Sequence, residues 1–131
     1  KNIDGYNEKN KAEELINYCQ NHSEENSSAI KEIEQYTWAN EDVPQMISGS
    51  QVGNILKALI SLSKSKNIVE VGTFTGYSAL KMAEAIPDDG IIHTCEIMDR
   101  HVVTAQKFFN RSQFKKIWTT FVNVAGIYYY C

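Results

Sequence analysis

Proline is scarce in this sequence, 2 in 131 residues, and so is cysteine, with 3. Cys19, Cys95 and Cys131 are too few and too scattered for a disulfide framework, which excludes the small cross-linked secreted scaffolds. No apolar run approaches the ~18–20 residues of a membrane helix, and the polar start KNIDGYNEKN lacks the apolar core of a signal peptide. A soluble cytoplasmic protein without a membrane partner is the expectation. There is no Lys/Arg stripe, which argues against a nucleic-acid partner. The dinucleotide fingerprint G-x-G-x-x-G is missing, which leaves little room for a nicotinamide-type oxidoreductase. His22, His93 and His101 are dispersed and show no zinc-ligand spacing.

Hydrophobic residues at 43% and charged residues at 22% suit one compact domain with a buried core. Charge is uneven: residues 1–45 hold 10 acids against 4 lysines, and the remainder carries a small basic excess. That split predicts an acidic N-terminal helical cap over 1–47 beside a cofactor-sized α/β core over 48–131, the two forming one compact unit. A small anionic partner near the second half is compatible with it.

Ala12, Leu15, Ile16 and Cys19 fall on one side of a helix predicted over 11–20, with Asn10 as its cap and Glu13 three residues on. A second, short helix starts at Ser27 or Ser28 and turns Ala29, Ile30, Ile33 and Tyr36 to one side. Residues 37–47 read as irregular, because Pro44 discourages a helix through them. The clearest helix follows. Ser48 and Gln51 have capping-box spacing, and Val52, Ile55, Leu56, Leu59, Ile60 and Leu62 form a wide apolar face. Gly53 within it points to a closely packed neighbour.

From Asn67 the pattern changes. Ile68, Val69 and Val71 form a β-branched run, predicting a parallel strand covered on both faces. Gly72 and Gly76 bracket a turn, and a helix over Tyr77–Ile86 directs Leu80, Ala83 and Ile86 inward. Pro87-Asp88-Asp89-Gly90 is a turn signal. A strand over Ile91–Ile97 and a helix over Asp99–Asn110 come next, the helix burying Val102, Ala105 and Phe109. Ile117–Val122 is a third strand. The order strand, helix, strand, helix, strand predicts three parallel strands side by side through right-handed crossovers. Such a sheet leaves an open edge, so the domain reads as truncated, incomplete or covered by a partner. Cys19 and Cys95 are expected as buried thiols, and Trp38 and Trp118 as packing residues between helix and sheet. Lys115-Lys116 reads as a solvated helix end or an anion contact. Tyr128–Tyr130 fits an edge cover, a pocket wall or a dimer contact equally well.

The segment most informative about a ligand is 68–78, IVEVGTFTGYS. A glycine turn between a buried strand and a helix lets a ligand approach the backbone, and the helix start offers free amides to negative groups. Glu70 lies inside the apolar strand, where an unpaired carboxylate is costly. It serves either as a strand-end cap or ion-pair partner, or as an acceptor for a ligand amide or ammonium. Glu96, near the end of the next strand, is either solvated or placed to accept from the ribose hydroxyls of an adenosine cofactor.

With those words in place, residues 44–99 resemble the front half of class I S-adenosylmethionine-dependent O-methyltransferases. The cation-dependent catechol and caffeoyl-CoA type is the closest likeness. EVGTFTGYS at 70–78, the PDDG turn followed by IIHTCE at 91–96, Met46 with QVG at 51–53, and HSEENSSAIKEIEQYT at 22–37 carry the likeness. It implies a Rossmann-like α/β methyltransferase fold with N-terminal helices, present here in part. Carried over by position, Gly72 would lie against the methionine portion of S-adenosylmethionine, with Glu70 beside its amino end and Ser78 near its carboxylate. Glu96 would grip the ribose hydroxyls, Ile97 or Met98 would line the adenine slot, and Tyr77 would pack the turn or edge the site. Met46 and Ser48 would belong to the segment closing over cofactor or substrate, Met46 serving equally well as a core or lid methionine. The family often forms homodimers, a partner the resemblance therefore allows.

The implied chemistry is transfer of a methyl group from a sulfonium to a hydroxyl oxygen of a small catechol-like or phenolic substrate. A divalent cation, usually magnesium, assists in that subfamily through strand-end Asp and Asn ligands. No Asp follows Asp99, and Asn110 and Asn123 are the only later Asn residues. Metal ligands and the catalytic base are therefore not assignable from the sequence. Two functions stay open: an O-methyltransferase, and a protein that binds the cofactor but is inactive or dependent on a partner.

Overall fold

The computed structural model of the chain describes residues 8–114, 117–123 and 126–129. Among the described residues five α-helices and four strands are formed: α1 (Glu8–Asn21), α2 (Ser28–Asn40), α3 (Gly49–Ser63), β1 (Asn67–Val71), α4 (Tyr77–Ala83), β2 (Ile91–Glu96), α5 (Asp99–Arg111), β3 (Ile117–Asn123) and β4 (Gly126–Tyr129). A 3-10 turn at Pro44–Met46 joins α2 to α3.

The sheet has the order β1-β2-β3-β4. The first three strands are parallel, as the alternation with helices requires, with Glu70 opposite Thr94 and Val71 opposite Cys95. β4 turns back antiparallel on β3, pairing Tyr128 with Phe121. Tyr128 and Tyr129, for which an edge cover is one of the sequence readings, thus lie in a fourth strand. It covers the β3 edge that a three-stranded sheet would leave open. Lys115, Lys116 and Tyr130 lie outside the described residues.

The core sits on one face of the sheet. Ile30 and Ile33 of α2, Ile60 of α3, Leu80 and Ala83 of α4, Ile86, Ile92 of β2, and Ala105 and Phe109 of α5 are all buried in it. Each fully buried aliphatic side chain contributes about 1.5–3 kcal/mol relative to exposure. Phe108 is buried too, meeting Tyr36 edge-on with ring centroids 5.2 Å apart.

Along β2, Ile92, Thr94 and Glu96 are buried while His93 is exposed. In β1, Val69 and Val71 are 71% and 89% exposed. The expectation of a strand covered on both faces is therefore corrected. β1 is the edge strand here, and the helices cover one of its faces.

Several local expectations also change. α1 starts at Glu8, so Asn10 lies within the helix and does not cap it. Leu15, Ile16 and Cys19 on its apolar side are exposed, which corrects the buried reading of Cys19; Cys95 is half-buried. α2 continues through residues 37–40, because Thr37 points into the core and bonds back to the Ile33 carbonyl at 2.7 Å; the irregular stretch is confined to 41–48. Ser48 precedes α3 in helical geometry and its side chain makes no cap bond, so the capping box does not form. α4 ends at Ala83, three residues short of Ile86. Trp38 is exposed and does not pack between helix and sheet; the Trp118 side chain lies outside the described residues.

Gly53 behaves as its position suggests. A Cβ there would stand 2.9 Å from two carbons of the Lys81 side chain, so α3 and α4 touch through this glycine. Lys81 itself is buried and donates to Asn54 Oδ1 at 2.8 Å.

Candidate functional site

The C-terminal ends of β1 and β2 and the turn leading into α4 form the site. Three left-handed residues shape that turn: Gly72 (φ 97), Phe74 (φ 50) and Gly76 (φ 98). The first and third suit glycine, whereas Phe74 holds a conformation that side chains rarely adopt. The Gly72 and Thr73 amides donate to the Cys95 carbonyl at 2.9 and 3.1 Å, which fixes the turn to the end of β2. Gly76 donates to the Thr73 carbonyl at 2.9 Å and closes it.

The two strand-end acids take different environments. Glu96 is buried and ringed by backbone amides: Oε1 accepts from Ile97 at 2.8 Å and Met98 at 3.0 Å, and Oε2 accepts from Phe74 at 2.7 Å. The left-handed Phe74 is what brings an amide from the β1 turn to the β2 acid. A carboxylate has about four lone-pair sites, so Oε2, with one donor, retains one for a ligand hydroxyl.

Glu70 accepts from the hydroxyls of Ser78, on Oε1, and Thr94, on Oε2 at 2.5 Å. Thr94 spends its one proton on Glu70, so it receives the proton of Thr73, 2.6 Å away. Burial holds the Glu70 carboxyl above the usual carboxylate range, with the Ser78 and Thr94 hydroxyls acting the other way. Among the described residues Glu70 forms no ion pair; hydroxyls satisfy it, and a cation would find a half-buried carboxylate with no positive partner among them.

Gly72 is exposed, and a Cβ built on it meets no atom within 4 Å, so open space lies above the turn. Ile97 and Met98 stand exposed beside Glu96 and provide apolar surface. Together these residues fit a ligand that combines hydroxyls, a flat apolar group and a cation. Tyr77 is buried, its hydroxyl 3.4 Å from Asn26 Nδ2, and burial pushes that hydroxyl up to about 12, as packing requires.

Glu70, Gly72, Ser78, Glu96 and Ile97 are therefore brought to one end of the sheet. Met46 and Ser48 are both exposed, on the 3-10 turn and before α3, and the hydrogen bonds of the site reach neither. Thr73, Phe74, Thr94 and His101 also lie at this end of the sheet, and the sequence pattern marks none of them as a contact of the cofactor. The signal for Thr94 was its place two residues before Glu96, on the same strand face. Among the described residues no group of three or more His, Cys, Asp or Glu could hold a metal ion, so those residues provide no such set for the magnesium that the resemblance implies. Among the same residues no helix is long and apolar enough to cross a membrane.

A family model described as O-methyltransferase matches residues 20–123. A probable caffeoyl-CoA O-methyltransferase of Dictyostelium discoideum is 29% identical over 98 residues, covering 75% of this chain and 42% of that protein. A catechol O-methyltransferase of Niastella koreensis is 36% identical over 74 residues, covering 56% of this chain and 34% of that one. In three dimensions, the SAH-bound Podospora anserina methyltransferase superposes with a TM-score of 0.79 at 23% identity, over 91% of this chain and 51% of that chain. The chain thus spans less than half the length of these curated relatives.

Proposed function

The chain belongs to the O-methyltransferase family, and on that premise we propose that it binds S-adenosylmethionine across the ends of β1 and β2. It would serve as the cofactor half of an enzyme that methylates a hydroxyl of a small phenolic or catechol-like substrate. The observation that carries the reading is Glu96. This buried strand-end carboxylate is held by three backbone amides, one of them from the turn, keeps one lone pair unfilled by them, and lies beside the open glycine turn.

When bound, S-adenosylmethionine would supply an electrophilic methyl group on a sulfonium; a hydroxyl oxygen would bond to that carbon as the carbon–sulfur bond breaks, leaving S-adenosylhomocysteine and releasing the hydroxyl proton. The chain's own residues bind and orient. Glu96 Oε2 accepts a ribose hydroxyl, and the exposed Ile97 and Met98 flank the adenine. Gly72 leaves room for the methionine portion, and Glu70 takes the ammonium, whose charge compensates a carboxylate otherwise disfavoured by burial. Ser78, already on Glu70, lies at the start of α4 within reach of the same end. Preset groups of this kind lower the reorganisation needed as the sulfonium charge is lost.

Support for a small hydroxylated substrate comes from the relatives, two of which carry caffeoyl-CoA or catechol in their names. The test is to incubate the chain with S-adenosylmethionine bearing a trideuterated methyl group and a panel of catechols and phenols, with and without magnesium. Gain of one labelled methyl group on a substrate supports methyl transfer. Cofactor binding without transfer selects the second reading, a cofactor-binding protein that is inactive or requires a partner.

A further inference from the structure

We propose that His101 is a positioning residue for Glu96, anchored from its far side by Glu41; this rests on the assignment of Glu96 to the ribose hydroxyls. His101 is the third residue of α5 and is buried. Its Nδ1 lies 3.8 Å from Glu96 Oε1. Its Nε2 lies 3.3 Å from Oε2 of Glu41, the residue after α2. The Phe74 ring meets the imidazole edge-on, with centroids 4.8 Å apart and planes at 87°. One side chain therefore ties together the end of β2, the end of α2 and the left-handed residue of the turn.

The geometry around Glu96 shows what this does. Oε1 already accepts two amide protons, so its lone pairs are filled, and the 3.8 Å approach of His101 adds a wall rather than a third bond. With Oε1 closed on that side, Oε2 is the oxygen left facing a ligand hydroxyl. The charged groups around the imidazole are Glu96 from β2, Glu41 from α2 and Arg100 from α5. Arg100 places Nη2 3.5 Å from the same Glu41 oxygen and Nη1 3.3 Å from Asp42. Although 3.3 Å apart, His101 Nε2 and Glu41 Oε2 are both buried without an aligned hydrogen bond among the described residues. Aligning that bond would require the ring to turn, and the turn would move the wall on Glu96 with it. The coupling explains why a buried histidine stands between two buried carboxylates, an arrangement that packing alone would fill with an apolar residue.

The test measures hydroxyl preference. The chain, its His101→Gln variant and its Glu41→Gln variant are titrated calorimetrically with S-adenosylhomocysteine and with its 2′,3′-dideoxy analogue. The expectation for the unchanged chain is a preference of roughly tenfold or more for the hydroxylated ligand, in line with a charge-assisted hydrogen bond. His101→Gln is expected to reduce that preference about fivefold while leaving dideoxy affinity within twofold, and Glu41→Gln to reduce it in the same direction. Equal weakening toward both ligands indicates a structural role and overturns the proposal. If His101→Gln fails to fold, Glu41→Gln decides by the same preference: a reduced preference supports positioning, and an unchanged one overturns it. If the unchanged chain binds both ligands equally, or neither, the ribose assignment of Glu96 falls, and the positioning role falls with it. A full preference retained in both variants leaves the ribose assignment standing and overturns the role of His101 alone.

Discussion

The Phe74 amide donates to Glu96 Oε2 at 2.7 Å across the gap between the β1 turn and the end of β2. That bond requires Phe74 to sit at φ 50, a costly conformation for a residue with a side chain. The glycine turn and the second acid are thus one construction. Disturbing either therefore alters the other.

Gly76 and Gly72 share a positive φ but differ in surroundings. A Cβ on Gly76 would stand 2.6 Å from the Phe109 ring, whereas one on Gly72 meets nothing within 4 Å. Gly76→Ala is expected to destabilise the fold by about 2–5 kcal/mol, combining backbone strain with overpacking. Gly72→Ala should cost about 1–2 kcal/mol from strain alone, yet weaken cofactor binding, because its methyl group enters the open space above the turn. Urea denaturation and cofactor titration of both variants check the two halves.

Glu70 should leave a pH signature. Burial raises its carboxyl above the usual carboxylate range. The folded state therefore holds this proton at pH values where the unfolded chain has released it. Its stabilising contribution is complete below the unfolded value and is lost as pH rises through the folded one. Comparing denaturation of the chain and of Glu70→Gln from pH 4 to 7.5 isolates the effect. The unchanged chain should lose stability relative to Glu70→Gln as pH rises, and parallel curves would contradict the assignment. Cofactor affinity should rise over the same window, since an ammonium ligand needs the ionised form.

Lys81 is buried with Asn54 Oδ1 as its acceptor, and burial lowers its ammonium below the ordinary lysine value. Asn54→Ala removes that acceptor and should destabilise by about 1–3 kcal/mol. Lys81→Met keeps the stem that packs against Gly53 and removes the charge, so it should be neutral or stabilising. In the double variant most of the Asn54→Ala loss should vanish, a coupling that thermal denaturation of the four proteins measures.

The alternation of strand and helix was legible because β-branched runs and glycine turns are local signals. The inward faces of α4 and α5 followed from spacing: Leu80 and Ala83 of α4, and Val102, Ala105 and Phe109 of α5, are buried, as is Ile86 beyond the end of α4. Exposure of β1 was not legible. Ile68, Val69 and Val71 carry no mark of which face is covered, since that depends on elements distant in sequence. The cap expected of Ser48 failed for a related reason: its backbone is already helical, so its hydroxyl does not reach the first free amides. In the site, Glu70, Gly72 and Glu96 stood out as acids or glycines in apolar company. Thr94 and His101 looked like ordinary strand and helix residues, and only the pairing of β1 with β2 and the packing of α2 beside α5 gave them partners.

The most direct test of the central claim is calorimetric titration of the chain with S-adenosylhomocysteine, alongside Glu96→Ala verified as folded by circular dichroism. Binding in the micromolar range is expected, on the order of -6 to -8 kcal/mol. Loss of the carboxylate should weaken it at least about tenfold, the scale of a hydrogen bond to a charged group. A folded chain that takes up no ligand, or a Glu96→Ala variant that binds as tightly as the original, would contradict the account.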